Sequence, residues 1–171
     1  SSLQSGDIQV ATGQSKFSGN ILLSTGQTAT NSGLTGSVYI TTGSSVSPGT
    51  TAQAGSIIAS VGNSYSGDGG AISLTSGMSG SADGGAITIT SGSSAITGTQ
   101  SGQITLSTHT VTGPGVNSGD VQLSTGNAPV GTAGNIVVKA GISGSTGGGD
   151  ISMSAGPAAS TTGGDITITT G

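Results

Sequence analysis

Serine, histidine and aspartate, the residue types of hydrolytic catalysis, are all present: 31 Ser, six Asp and a single His, His109. A Ser/His/Asp relay needs an imidazole held between a hydroxyl and a carboxylate, and only His109 could supply it. That residue stands where a glycine recurs elsewhere in the chain, at a corner of a regular repeat, so it reads as a solvated corner residue. Cys, Trp, Arg and Glu are absent, and the two lysines, Lys16 and Lys139, lie more than a hundred residues apart. No disulfide framework, thiolate metal site or cysteine nucleophile is therefore available. Two cations in a chain of net charge −4 cannot hold nucleic acid through its phosphates. The reading is a non-enzymatic chain with no catalytic residue, no cofactor and no metal site.

The carboxylates fall into two sets. Asp7, Asp120, Asp150 and Asp165 take the second place of a repeated unit, with Asn135 between Asp120 and Asp150 in that series. Asp68 and Asp83 stand two residues before the glycine that opens the next unit. Stacked carboxylates about 4.8 Å apart would repel each other, and a calcium ion would relieve that. Gly147-Gly148-Gly149-Asp150-Ile151 only grazes the glycine-rich calcium repeat of RTX toxins, however, and Asp is an ordinary turn residue. The clusters Gly67-Asp68-Gly69-Gly70 and Gly147–Gly149 lack the strand–helix context of a phosphate loop. They read as corners.

The unit that carries these residues is Gly-x-Ile/Val-x-aliphatic-x-small-Gly. It opens at Gly6, Gly19, Gly36, Gly55, Gly70, Gly85, Gly102, Gly119, Gly134, Gly149 and Gly164. Its third place is always Ile or Val, from Ile8 to Ile166. Its fifth runs Val10, Leu23, Ile40, Ala59, Leu74, Ile89, Leu106, Leu123, Val138, Met153 and Ile168. The eighth is Gly everywhere except at His109. Two aliphatics separated by one residue are the period-2 mark of a strand with one buried face. Every spacing between units is odd, so inserted pairs preserve that alternation. The frame predicts an all-β fold, a single-domain β-solenoid (β-helix) over 1–171. It would have about eleven coils of period 15–17 residues, parallel stacked strands and no obvious caps.

Each coil has a second short segment of the form small-x-small. Examples are Thr28-Ala29-Thr30, Ser45-Val46-Ser47, Ser64-Tyr65-Ser66, Ser79-Gly80-Ser81, Thr110-Val111-Thr112 and Ser143-Gly144-Ser145. This column is expected to point inward against the aliphatics, its hydroxyls hydrogen-bonded as buried polar groups must be.

The fourth and sixth places would then face out. They carry Thr41, Ser73, Thr75, Thr88, Thr90, Thr105, Ser107, Ser124, Ser152, Ser154, Thr167 and Thr169. On stacked strands these would form a flat hydroxyl-and-methyl lattice, about 4.8 Å between rows and about 6.6 Å along each. Charged residues are the usual way to solubilise an exposed sheet, and here they are nearly excluded. With its Ser/Thr-x-Ser/Thr pairs the sequence resembles the repetitive β-solenoid antifreeze (ice-binding) proteins. The texture is also similar to Ser/Gly/Thr-rich secreted repeat proteins. The resemblance implies an ice crystal surface as partner, the twelve residues above as the ice-binding face, and a secreted, extracellular location. Gln9/Ala11, Leu22, Tyr39, Ile58, Gln122 and Val137/Lys139 interrupt the array.

A second reading is structural. Gly163–Thr170, with its Gly-Gly-Asp-Ile-Thr-Ile core, resembles the coils of filamentous-haemagglutinin-type adhesins. That resemblance implies a segment of an extracellular adhesin or self-assembling fibre, with end-to-end self-association through uncapped ends. No nucleic acid or membrane partner is expected, because the apolar runs are too short to span a bilayer.

Overall fold

The structure is a computed structural model of the whole chain, and the residues it describes are 5–29, 33–45, 53–144, 147–159 and 162–170. It contradicts the expected solenoid. Among the described residues there is no helix and no strand, and none of them is buried. The accessible surface is 17164 Å² for a 15.8 kDa chain. A folded chain of that mass exposes about 7,300 Å² and a fully unfolded one about 23,000 Å². The observed value lies much nearer the second.

The chain divides into two units, Ser1–Ile87 and Thr88–Gly171. In each, the repeat frame survives as a local geometry instead of a packed coil. Eight-residue segments alternate with bends at residues 15–17, 65–67, 80–82, 96–98, 113–115 and 129–131. These bends lie between the eighth place of one repeat and the first of the next. Third-place aliphatics are 45–61% exposed apart from Ile8, which is 95% exposed. At the fifth place the large side chains are more open still, from 65% at Val138 to 80% at Leu106. A one-sided strand would bury both places.

The physical reason lies in what a coil of this composition has to bury. Each repeat brings two aliphatics, while its Gly, Ser and Thr offer little apolar area against the entropy of ordering them, which is greatest for Gly. Stacking also needs a continuous hydrogen-bonded ladder. At four of the ten junctions one backbone bond links a repeat to its neighbour instead: Gly85 N–H to the Gly77 carbonyl at 2.9 Å, Gly102 to Gly92 at 2.8 Å, Gly149 to Gly141 at 3.0 Å and Gly164 to Gly156 at 2.9 Å.

The small-x-small column also departs from expectation. Ser64 Oγ accepts the Gly67 N–H at 3.0 Å, and Ser79 Oγ accepts the N–H groups of Ser81 at 3.4 Å and Ala82 at 3.0 Å. These hydroxyls cap local turns, as Ser and Thr do when they compete with regular structure. They are not an inner layer: Ser64, Ser66, Thr110 and Thr112 are exposed and Ser79 is half-covered. Thr30, Val46, Ser47 and Ser145 of that column lie outside the described residues. Between Ser94 and Thr99 the bend is tighter. Thr99 donates its N–H (3.2 Å) and hydroxyl (2.6 Å) to the Ile96 carbonyl, and its hydroxyl also meets Ser94 Oγ. Gly98 completes this turn at φ +82°, and Gly115 follows Pro114 at φ +73°, as the third residue of a type II turn does.

Hydrogen exchange checks this architecture. Most amides should exchange at near-intrinsic rates. The N–H groups of Gly85, Gly102, Gly149 and Gly164 should be slowed about 2- to 12-fold, the protection one net hydrogen bond gives.

Candidate functional site

The feature that recurs throughout is the joint between one repeat and the next. At all ten junctions the glycine that opens a repeat lies against the seventh-place side chain of the repeat before it. A Cβ on Gly19 would stand 3.5 Å from Thr12 Cγ2, one on Gly36 3.4 Å from Thr25 Cγ2, and one on Gly55 3.3 Å from Thr42 Cβ. The series continues with Gly70 on Val61, Gly85 on Ser76 (3.3 Å), Gly102 on Ser91 (3.3 Å) and Gly119 on Thr108 (3.7 Å). It closes with Gly134 on Thr125 (3.5 Å), Gly149 on Ala140 (3.4 Å) and Gly164 on Ala155 (3.8 Å). At Gly70 a side chain would run into Val61 outright. At Gly55, Gly85 and Gly102 the fit would be tight, and at the other six junctions a Cβ would meet the seventh-place side chain at ordinary contact distance. Three of the four half-covered residues among those described, Ser91, Ala140 and Ala155, occupy this seventh place. What burial the molecule has is concentrated at its joints.

All twelve residues of the expected hydroxyl face are exposed. The structure keeps them together only as pairs within one segment: Ser73 with Thr75, Thr88 with Thr90, Thr105 with Ser107, Ser152 with Ser154 and Thr167 with Thr169. Thr41 and Ser124 stand without such a hydroxyl partner two places before them, where Tyr39 and Gln122 fall. Rows from successive repeats are not stacked as strands, so the flat lattice of the solenoid is not formed. Ser154 Oγ donates to the neighbouring Ala155 carbonyl at 3.3 Å.

Charged and titratable groups are scattered. Among the described residues no three of His, Asp, Glu or Cys come together in a way that could hold a metal ion, and no pocket opens. His109 is exposed. The Lys16 ammonium lies 5.4 Å from the centre of the Phe17 ring, a cation–π contact between neighbours in sequence. No helix is long and apolar enough to cross a membrane.

Comparison with known proteins finds no matching family model, no similar curated protein and no similar solved structure.

Sequence reasoning located the glycines but not their contact partners. The signal was present: the seventh place is Thr, Val, Ser or Ala in every repeat, side chains short enough to sit over a backbone without crowding it. Read as part of a strand, that place carried no separate meaning.

The scattering of the six aspartates gives a direct expectation. Millimolar calcium should produce no binding heat by titration calorimetry and no change in amide exchange, because among the described residues no three carboxylate or imidazole groups come together to hold an ion.

Proposed function

We propose that this chain is a repetitive structural segment of an extracellular assembly, acting through its length and its exposed rows and performing no catalysis. One observation carries this reading: the aliphatic pair of every described repeat stands open to solvent in the same frame. Single exposed apolar side chains are ordinary, but large sets of them mark interaction surfaces. The short stretches that hold them have the low charge, lack of Pro and β-branched content that favour pairing between chains. In Ala86-Ile87-Thr88-Ile89-Thr90, both isoleucines are more than half exposed with no charge among them. Such a segment finds its natural complement in the same segment of another chain.

The test is concentration-dependent light scattering joined to negative-stain microscopy. Scattering should rise steeply above a threshold concentration and filaments or sheets should appear. It should be nearly insensitive to salt, since charge plays no part. Replacing Ile87 and Ile89 together by Asp should raise the threshold at least tenfold, the consequence of removing two aliphatics worth roughly 1.5–3 kcal/mol each when buried. A concentration-independent monomer would overturn the reading.

A second reading, adsorption to ice, is favoured by a different observation. The paired hydroxyls at Ser73/Thr75, Thr88/Thr90, Thr105/Ser107, Ser152/Ser154 and Thr167/Thr169 are all exposed, and only the last two have a charge two places before them, at Asp150 and Asp165. Thr presents a hydroxyl and a methyl at once, the combination that would suit a neutral, regular surface. Thermal hysteresis at micromolar protein, abolished by Thr88→Tyr or Thr90→Tyr, is the expected outcome. Normal freezing and melting in the presence of the intact chain would remove this reading and leave the structural one.

A further inference from the structure

The geometry points to a mechanical role for the joints: each stores hidden length, and in series they make the chain a low-force extensible element. This deepens the structural reading, and it rests on that reading for its purpose.

One hydrogen bond and one short contact hold a joint closed. Between Gly77 and Gly85 the chain leaves one segment and returns to it, and the loop is shut by the 2.9 Å bond from the Gly85 N–H to the Gly77 carbonyl. Ser76 Cβ lies 3.3 Å from where a Cβ on Gly85 would be, so the contact is backbone against a short side chain. The same closure recurs at Gly92/Gly102, Gly141/Gly149 and Gly156/Gly164, and the same glycine-on-seventh-place contact is present at all ten junctions. No buried core, helix or strand among the described residues adds to this closure. A pull on the chain therefore meets the joints as its first resistance, one after another and each independently.

The length released follows from chain geometry. Seven residues separate Gly77 from Gly85, and the eight steps from one to the other, at about 3.3–3.6 Å each, span roughly 27 Å when taut. The closed ends are a hydrogen bond apart. Opening one joint therefore frees about 20–25 Å, and the longer stretch from Gly92 to Gly102 frees about 30 Å. The barrier is one solvent-exposed hydrogen bond with a small side-chain contact, of modest net worth in water. Spread over that travel it yields at a few piconewtons. Reclosure needs only the reunion of a short loop, which takes on the order of 10–100 ns for ten residues. The element is thus reversible and fast, and no repeat depends on its neighbour having refolded.

Magnetic tweezers on the single full chain, held between handles, test this without any assembly, so failure here leaves the scattering result standing on its own. Below a few piconewtons the intact chain should behave as one shorter in contour length than a featureless chain of 171 residues by about 90–105 Å, the sum over its four hydrogen-bonded joints, and it should lengthen smoothly without hysteresis. The variant with Gly85→Val, Gly102→Val, Gly149→Val and Gly164→Val places a branched side chain against each seventh-place residue. It should be longer in effective contour length by about 90–105 Å at the same low force and identical above about 10 pN. Ala95→Val, in the loop and away from the closing contact, should leave the curve unchanged. Coincident curves for the intact chain and the four-site variant would overturn the proposal. So would sawtooth ruptures at tens of piconewtons, which would show a cooperative core carrying the load.

Discussion

The contact between a repeat-opening glycine and the seventh-place side chain behind it is the one interaction on which the rest of this molecule depends. It is small, a backbone resting on a Thr, Ser, Ala or Val, but it occurs at every junction. It explains why a side chain on Gly70 would displace Val61, and why Gly55, Gly85 and Gly102 leave little room for one. It explains where the sparse burial falls, and why the four closing hydrogen bonds join equivalent places in different repeats. A conventional domain is held by a core and decorated with turns. In this chain the turns are closed while the segments between them stay open.

This inversion follows from composition. More than half of the residues are Gly, Ser or Thr, which bring hydrogen-bonding groups and little apolar area. A hydroxyl two or three residues from a free amide satisfies it locally, as Ser64 does for Gly67 and Ser79 for Ala82. Each bond of this kind fixes a bend and removes a residue from any ladder with a neighbouring repeat. Local satisfaction and long-range stacking compete for the same groups, and with two aliphatics per repeat the hydrophobic term is too small to tip the balance toward stacking.

The repeat was fully legible in the sequence. Its frame, its eleven starting glycines and the odd man at His109 all correspond to real features of the chain. What the frame could not reveal was whether period-2 alternation would be used. Ile87 and Ile89 satisfy the pattern of a one-sided strand, but the pattern reports only compatibility with burial. Burial itself depends on neighbours with enough area to cover those side chains. The seventh place shows the converse error. Its small residues looked like part of a strand's periphery, yet Ser91, Ala140 and Ala155 are where the chain touches itself most closely. The hydroxyl face was legible as exposed chemistry, residue by residue, but not as a lattice, because a lattice needs a register between repeats that these joints do not impose.

The joints also tolerate unequal loops. Between 5 and 11 residues separate the eighth place of one repeat from the first of the next, and the same glycine contact forms across all of them. Closing a loop costs only logarithmically more as it grows, and no shared core must be re-registered when a repeat is gained or lost. At the level of the gene, recombination between repeats would give longer or shorter chains whose every junction still closes. Gain or loss of one repeat would then change the chain's length and leave the remaining junction contacts as they are.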